Sequence, residues 1–523
     1  MSAIVTDQFR ILNANNFVES VESDDNSYYV FIGLPNPTIV GYGRSEQWNT
    51  QTPDPVDNFS DHAHVGDTMM YGKKISSANI RRIIRRIDWT AGNRYEIYRD
   101  DYSVSNQSPI EESSRLYGAR YYVMNSDFKV YLCISNGSTG ANPKGNISQD
   151  EPTFTDLEPS RAGSSGDGYI WKYLYTVSPS DILKFDSTEY ITVPNGWATS
   201  TDAQIRSIRE NGDSSVNNNQ IKHVYIDKAG DKYSDGLGQE VDILGDGEGA
   251  KARVDVVSKV ITDVTVSSGG KGYSYGVVDL GALQDTEHPA NQRAKLVPII
   301  PPSLGHGYDI YTELGTDKVL IYARFDDSTK DFPTDTKFAQ VGIIKNPTEV
   351  GTANTFTGTT FSSLNAFKFK TVSGTPTVGE KITQDIVDSN GEIQKASAYV
   401  ASYDKETQVM KYFRDRSLNY TSTNDQTDYA GISVGGRIYE FQSTANAVTG
   451  ESSTFSGTID TAFTGISTNP TGTKLINLET TFNEGLSKPE INKGSGEVVY
   501  LDNRPLIARN TRQKEDVKII LEF

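Results

Sequence analysis

A chain of 523 residues is longer than a single domain usually is, and this length predicts about three or four domains. It carries 50 Lys and Arg against 68 Asp and Glu, a formal net charge of −18, which argues against a protein that binds nucleic acid or an anionic membrane through phosphates. A single cysteine, Cys133, excludes an intrachain disulfide and any zinc site that needs two or more thiolates.

The composition favours strands over long helices. The chain has 29 tyrosines and 20 phenylalanines among many Thr, Ser, Asn and Gly residues, and aromatic residues suit a half-buried pleated surface. We therefore predict a mainly β protein, made of several β-sandwich or β-barrel modules with few short helices. The N-terminus lacks a basic region followed by an apolar stretch, so we expect neither secretion nor membrane insertion.

The first 68 residues predict two strands and a loop. Residues 3–9 have a strand-like pattern, and Tyr28–Gly33 is a short apolar run bounded by turn-forming residues, which is typical of a buried strand. Residues 49–68 are rich in Asp, Pro, Asn and Thr without periodicity, and this pattern predicts a loop.

The segment Ser76–Trp89 predicts a helix, because four isoleucines recur at the spacing of one helical face after a serine that can cap it. The opposite face would then carry Arg81, Arg82, Arg85 and Arg86. Four arginines in an acidic chain could dock an acidic partner, although a solvated or locally paired charged face is the more common explanation and the one we prefer.

The next hundred residues predict a β-meander. Tyrosine-rich runs at 121–124 and 129–134 are separated by polar clusters, and Cys133 is expected to pack as a small hydrophobic residue. A Gly, Ser, Asn and Pro-rich stretch at 135–168 ends in Gly166-Asp167-Gly168, a turn signal. The strand that follows, Tyr169–Val177, is apolar on both faces and should be covered on both.

Residues 221–234 recur forty positions later as residues 261–274. Five of the fourteen positions are identical, including the glycine and the tyrosine of Gly230 and Tyr233 and of Gly270 and Tyr273. Each copy alternates apolar residues and then turns at a glycine, so each predicts a small β-unit repeated in tandem.

The last third predicts another module and a return to strands. Residues 351–484 are rich in Thr, Ser and Gly and are typical of a small β-barrel or sandwich. Glu497–Leu501 predicts a strand, Asp502-Asn503-Arg504-Pro505 a turn, and 517–523 a closing strand.

The search for chemistry predicts no catalytic, cofactor or metal site. Gly245–Ala250 matches the relaxed dinucleotide fingerprint, but it lies inside the β-repeat with two carboxylates where a pyrophosphate would approach, which favours a tight β-turn. Asp388–Gly391 resembles part of a calcium loop, but the positions that would supply the first and last ligands are Ile386 and Ser397, which favours a hairpin turn.

Several segments, in order along the chain, resemble the baseplate wedge subunits encoded by gene eight of T-even-type contractile-tailed bacteriophages. The segments that carry the resemblance are Ala3-Ile4-Val5-Thr6 with Phe9-Arg10, Gly43-Arg44-Ser45-Glu46 with Trp48, Met69-Met70, Arg85-Arg86-Ile87-Asp88-Trp89, Gly166-Asp167-Gly168-Tyr169-Ile170-Trp171 with Tyr173-Leu174, Glu189-Tyr190-Ile191 with Val193-Pro194, Ile343-Ile344 with Asn346-Pro347, Ser495-Gly496-Glu497, and Asn503-Arg504-Pro505.

The resemblance divides the chain into a body and two insertions. It covers 1–200, 305–350 and 485–523, whereas the tandem repeat at 201–304 and the Thr/Ser/Gly-rich module at 351–484 have no counterpart in the shorter family member. Long insertions at surface loops cost little, because the entropy of loop closure grows only logarithmically with length.

The resemblance also implies a function. It implies a non-enzymatic structural subunit of the virion tail baseplate, homodimeric within each wedge, that contacts other wedge proteins and takes part in the rearrangement that triggers sheath contraction. Assembly would take place in the host bacterial cytoplasm, without cofactor, nucleic acid or membrane insertion. The residues we select as interface candidates are Arg81, Arg82, Arg85, Arg86, Trp89 and Arg504.

Two alternatives remain open at this stage. The aromatic residues of the insertions could stack sugars in a host-surface adhesin, although aromatic residues on sheets more often fill cores. A polysaccharide depolymerase with a carboxylate dyad is the other alternative, but 68 carboxylates make such a dyad impossible to locate from the sequence.

Overall fold

The computed structural model describes residues 5–34, 49–50, 52, 54–57, 59–284, 289, 292–325, 337–413, 439–470, 472, 475–508 and 513–523. Seven of the residues that carry the family resemblance near the N-terminus lie outside these ranges, namely Ala3, Ile4, the run 43–46 and Trp48. Strands account for 43% and helices for 13%, so the prediction of a mainly β protein is confirmed.

The six helices of the described residues are α1 (Asp7–Glu22), α2 (Phe59–Thr68), α3 (Pro179–Phe185), α4 (Ala203–Gly212), α5 (Ser214–Asn217) and α6 (Ile310–Leu314). None of the helices in the described ranges is long and apolar enough to cross a lipid bilayer.

The strands within the same residues are β1 (Tyr28–Gly33), β2 (Met69–Ile75), β3 (Ile80–Arg85), β4 (Tyr122–Met124), β5 (Lys129–Asn136), β6 (Tyr169–Thr176), β7 (Tyr190–Val193), β8 (Val224–Lys228), β9 (Gly236–Gly245), β10 (Glu248–Val257), β11 (Val260–Lys271), β12 (Gly276–Val278), β13 (Lys295–Pro298), β14 (Lys318–Phe325), β15 (Lys337–Lys345), β16 (Thr360–Ser362), β17 (Asn365–Ser373), β18 (Lys381–Val387), β19 (Ile393–Asp404), β20 (Val409–Phe413), β21 (Val448–Gly450), β22 (Ser456–Ile459), β23 (Gly465–Thr468), β24 (Ile476–Phe482), β25 (Leu486–Ser487), β26 (Glu497–Ala508) and β27 (Glu515–Glu522).

The chain forms two units. Unit 1 contains Met1–Val18, Arg81–Leu320 and Ile519–Phe523, and unit 2 contains Glu19–Ile80 and Ile321–Lys518. Each unit is therefore built from segments that are distant in sequence.

The core of unit 1 is built around the predicted meander. Strands β4, β5 and β6 form a three-stranded antiparallel sheet, and β6 is buried on both faces, as predicted. Trp171 stacks on Tyr169 with ring centroids 5.3 Å apart, and Cys133 is completely buried, which raises the pKa of its thiol well above the ordinary value. The predictions for Cys133 and for Tyr169–Val177 are therefore confirmed.

Tyrosines fill much of this core because their hydroxyl groups reach backbone carbonyls. Tyr131 donates to the carbonyl of Phe154 at 2.6 Å, and Tyr175 donates to that of Thr192 at 3.0 Å. A buried tyrosine thus contributes apolar area while its hydroxyl remains hydrogen-bonded.

Each copy of the tandem repeat contains a strand, β8 in the first and β11 in the second, and the two strands belong to different sheets of unit 1. Gly230 and Gly270 both have positive φ angles, and the ring of Tyr233 or Tyr273 lies against the glycine of its own copy. Each tyrosine hydroxyl accepts a hydrogen bond from a backbone amide, at 2.9 Å in the first copy and 3.2 Å in the second. The second copy lies in a four-stranded sheet with the order β11-β10-β9-β12, and Gly245–Ala250 spans the turn from β9 to β10, as expected.

Unit 2 contains a five-stranded antiparallel sheet with the order β16-β2-β1-β15-β26. Its strand β1 has the predicted bounds and is buried throughout. In this sheet, aromatic residues pair with glycines on neighbouring strands. Phe361 is opposite Gly72, and Phe31 is opposite both Gly72 and Gly342.

Unit 2 also contains a closed six-stranded barrel. The strands follow the order β20-β19-β18-β21-β22-β17, and β17 pairs back with β20. The predicted hairpin turn at Asp388–Gly391 joins β18 to β19, where Val387 pairs with Ile393. The Thr/Ser/Gly-rich stretch therefore forms a barrel, one of the two architectures predicted for it.

The chain enters and leaves the barrel at one place. The amide of Ser362 donates to Oε2 of Glu490 at 2.7 Å, and the amide of Glu490 donates to the carbonyl of Ser362 at 2.9 Å. In unit 1, the backbones on either side of the repeat also meet, since a side chain at Gly305 would lie 2.3 Å from the carbonyl oxygen of Gly212.

Four predictions of local structure are wrong. Ser76–Trp89 is not a helix but a short 3-10 turn followed by strand β3, and residues 7–9 of the predicted strand 3–9 belong to helix α1. The second half of the predicted loop at 49–68 is helix α2, and β26 continues through the predicted turn at 502–505. A register shift opposite Phe338 and Gln340 accommodates Pro505 there, on the edge strand of the sheet, where a missing amide donor is tolerated.

Candidate interaction surface

Arg81, Arg82 and Arg85 lie on β3, which pairs with β7, and Arg86 directly follows this strand. The partners of Arg81 lie within unit 1. Arg81 donates from Nε to both carboxylate oxygens of Asp181, at 3.1 and 3.0 Å, and its guanidinium lies 5.2 Å from the ring centre of Phe185. Both partners belong to α3, so Arg81 joins this helix to β3.

Arg82 is an internal residue. Only 4% of its surface is exposed, and Nε donates to the amide oxygen of Asn15 at 2.6 Å. Its guanidinium also lies over the ring of Tyr311, 4.1 Å from the ring centre. These partners are distant in sequence, so the contacts of Arg82 hold separate segments of unit 1 together.

Arg86 and Trp89 also have partners within their own unit. Arg86 donates to Asp88 at 3.0 Å and to Asp186 at 2.8 Å. Trp89 is partly buried against the core, and its indole nitrogen donates to the hydroxyl of Ser148 at 3.0 Å.

Arg85 differs from the other three arginines because its side chain is exposed and forms no ion pair within the described part of the chain. It lies in a cleft of about 680 Å³, which we call the basic cleft. Segments from six parts of the sequence line this cleft, and its charged residues are Arg10, Arg85, Arg86, Arg115, Lys318, Glu189, Asp317 and Glu522.

The floor of the basic cleft is apolar. Ile84, Tyr122 and Leu314 line it and are 3–4% exposed. Tyr122 donates its hydroxyl to the carbonyl of Arg85 at 2.7 Å, and this bond fixes the backbone that carries Arg85. An apolar floor beneath a charged rim is an arrangement that can receive a peptide segment.

Most of the other charges around the cleft are paired. Arg115 donates from Nε to Asp7 at 3.1 Å, and Lys318 contacts Asp317 and Glu522 at 3.0 Å each. Hydrogen bonding by Lys318 and the charges of Lys318 and Arg10 lower the pKa of Glu522.

Arg504 lies on β26 in unit 2, away from the arginine-rich segment in the sequence. Its side chain is 60% exposed, and Nε donates to Asp502 at 2.6 Å. Of the six interface candidates, Arg85 and Arg504 therefore present the most exposed cations.

Unit 1 contains a buried polar cluster that the sequence pattern does not indicate. Glu313 of α6 is fully buried and accepts from His306 at 2.5 Å and from the amide of Gly307 at 2.7 Å. Lys172 of β6 is also fully buried and donates to the carbonyl of Leu157 at 2.9 Å, and burial lowers its pKa to about 8. No motif or spacing indicates that these residues meet.

A second cleft of about 610 Å³ contains an ion pair between Glu158 and Lys222, whose charged atoms are 2.8 Å apart. Burial raises the pKa of Glu158, but hydrogen bonds from Lys222, Asn211 and Asn219 outweigh it and lower the pKa to about 2. This carboxylate is therefore ionised at neutral pH and serves as a hydrogen-bond acceptor.

Five aromatic residues in the described part of the barrel line its interior. Phe367, Phe369, Tyr412, Phe441 and Phe455 are each at most 5% exposed and form one cluster. These five rings fill a core and are not exposed to stack on sugars.

Comparison with known proteins identifies a similarity to a phage protein. No protein-family model matches the chain. The chain is similar to the baseplate wedge protein gp8 of Enterobacteria phage T4, with 26% identity over 219 residues. The similarity covers 37% of this chain and 60% of the T4 protein, so the chain spans less than two thirds of that relative's length. A distant relationship to a phage baseplate protein follows from this similarity.

Proposed function

We propose that this chain is a non-enzymatic structural subunit of the baseplate wedge in a contractile-tailed phage. The observation that carries the proposal is the similarity to the T4 baseplate wedge protein. The order of the matching segments along the chain supports it, as do the several β-modules that form two units.

In this role the protein forms a homodimer within each wedge and binds other wedge proteins, and it assembles in the host cytoplasm. It takes part in the rearrangement of the baseplate that triggers sheath contraction. The basic cleft and the exposed Arg504 are the surfaces we assign to contacts with other subunits.

The proposal includes the two inserted domains, 201–304 and 351–484. Ser362 and Glu490, where the chain enters and leaves the barrel, are hydrogen-bonded to each other, and we call this place the neck of the barrel. The neck supports the assignment of 351–484 as an insertion, because a module whose two ends meet can be added to a sheet without separating the strands of that sheet. The close approach of Gly212 and Gly305 supports the first in the same way.

The direct test is co-expression of the full chain with the wedge proteins of its own phage, followed by affinity purification and size-exclusion chromatography. We expect the chain to elute with the wedge complex, and as a dimer when it is expressed alone. Leaving out each wedge protein in turn provides the control and identifies the neighbour that holds the chain. A chain that remains monomeric and joins no wedge complex would contradict the proposal.

A further inference from the structure

The basic cleft combines charge and apolar surface in a way that identifies a class of partner. Five of its charged lining residues are basic and three are acidic, whereas acidic residues exceed basic ones in the whole chain, 68 to 50. The cleft is therefore a local reversal of the overall charge.

The cation that can accept a new partner is Arg85. Its side chain is exposed, and within the described residues it has no carboxylate in ion-pair contact, while Arg86 is already engaged by Asp88 and Asp186. Arg10 of α1 lines the same cleft and interacts with Glu522 through charge. An incoming carboxylate at Arg85 would thus form a new charge-assisted hydrogen bond and would not need to break an existing one.

The size and the remaining charge of the cleft limit how acidic the partner can be. A volume of about 680 Å³ holds only a few residues, and the rim includes the carboxylate of Glu189. A dense polyanion would be repelled by Glu189 and by the net charge of −18, whereas one or two carboxylates beside an apolar side chain fit both the rim and the floor.

We propose that the basic cleft binds a short segment of another protein that places one or two carboxylates at Arg85 and Arg10 and an apolar side chain on Ile84, Tyr122 and Leu314. The proposal rests on the proposed function in one respect, namely that this protein is another subunit of the same baseplate. The cleft itself is defined within unit 1 and does not depend on that identity.

The experiment uses the full-length chain and a fluorescein-labelled peptide with one glutamate on each side of a central leucine and serines at its other positions. A second peptide carries glutamines in place of the glutamates. Fluorescence anisotropy is measured for the wild type, for Arg85→Ala and Arg85→Glu, and for Arg253→Glu as a control. Arg253 is an exposed arginine of unit 1 on β10, outside the cleft, so its variant makes the same charge change elsewhere.

We expect the glutamate peptide to bind about tenfold more tightly than the glutamine peptide, and Arg85→Glu to weaken binding about tenfold, the scale of one charge-assisted hydrogen bond. Arg253→Glu should leave the affinity unchanged, and the melting temperatures of all variants should match the wild type because Arg85 is exposed. Equal binding of the two peptides, or equal binding by wild type and Arg85→Glu, would overturn the proposal. Tighter binding of a single-stranded oligonucleotide of equal charge would overturn the choice of a protein segment.

Co-expression separates this inference from the proposed function. If the wild type joins the wedge complex and Arg85→Glu joins it equally well, the cleft is not the contact, while the structural role stands. If the wild type joins no complex but binds the glutamate peptide through Arg85, the cleft binds acidic segments and the proposed function is wrong.

Discussion

Trp171 shows how single residues stabilise unit 1. Its side chain is fully buried against Tyr95 and Tyr169, with ring centroids 5.8 and 5.3 Å away. Its indole nitrogen has no hydrogen-bond partner within the described residues. The ring therefore stabilises the core by apolar contact, while its buried N–H group opposes that effect.

We expect Trp171→Ala to lower the free energy of unfolding of unit 1 by about 3–5 kcal/mol, because the removed ring leaves a cavity. Trp171→Phe should cost less than about 1.5 kcal/mol, since it keeps an aromatic ring and removes the unpaired donor. Chemical denaturation followed by near-ultraviolet circular dichroism measures both. Equal losses in the two variants would contradict this account of the site.

A second residue-scale prediction concerns acid stability. The hydrogen bonds that lower the pKa of Glu158 to about 2 form only in the folded chain, and its ordinary pKa is 4.5. The unfolded state therefore binds the proton more readily, so the contribution of Glu158 is complete above pH 4.5 and is lost as the pH falls towards 2.

Glu158→Gln should consequently lower the melting temperature at about pH 7, and the difference from wild type should shrink towards about pH 3. Thermal unfolding followed by the fluorescence of the buried Trp171 and Trp197 measures it. Glu210→Gln is the matched control, because Glu210 forms an exposed pair with Arg206 and should change the curve little. A difference that does not vary with pH would refute the assignment.

At the scale of elements, β3 explains why the predicted helix was wrong. Isoleucines at positions 80, 83, 84 and 87 fit one helical face, but a strand that is buried on both faces accepts them too, and β-branched residues favour strands. Pairing of Ile84 with Ile191 on β7 selects the strand, and no local pattern contains that contact. Helix α1 had a local signal, since Ile11, Ala14 and Val18 recur at helical spacing and are buried.

The five-stranded sheet gives an element-scale prediction. A methyl group at Gly72 would lie 2.2 Å from the ring of Phe361 on the neighbouring strand. Gly72→Ala should therefore displace the ring and cost about 1–3 kcal/mol.

Phe361→Leu provides the control background, because the smaller side chain leaves room for the new methyl group. We expect Gly72→Ala to cost less in that background, which a double-mutant cycle measured by chemical denaturation can detect. An identical cost in both backgrounds would mean that the ring does not limit the position.

At the scale of the whole molecule, the sequence predicted the fold class and the β character of the repeat and of the Thr/Ser/Gly-rich stretch. Each depends on local alternation and composition, which a single chain displays. The basic cleft could not be predicted, because Arg10, Arg85 and Lys318 meet only through long-range packing. The burial of Arg82 could not be predicted for the same reason, since its partners Asn15 and Tyr311 are far away in the sequence.

The neck of the barrel gives the prediction at this scale. Replacing residues 364–488 with a short Gly-Ser linker should leave the five-stranded sheet folded, because Ser362 and Glu490 are already hydrogen-bonded to each other. Some stability should be lost with the contact between Lys411 of the barrel and the ring of Tyr71.

Hydrogen exchange measures this outcome through the amides of β1 and β15, which should remain protected in the deletion variant. The control inserts the same linker at Asn390, in the hairpin turn of the intact barrel, and should preserve both the barrel and the sheet. Loss of protection in β1 after the deletion alone would show that the sheet depends on the barrel.

The closure of the barrel has a consequence for aggregation. Open sheet edges present unpaired amides and carbonyls, and neighbouring copies can add strands to them and aggregate. In the barrel, the pairing of β17 with β20 joins the first and last strands of the ladder, so these two edges are occupied within the same chain. Copies of this chain at high local concentration would therefore bring their barrels into contact without templating intermolecular sheets at these two strands.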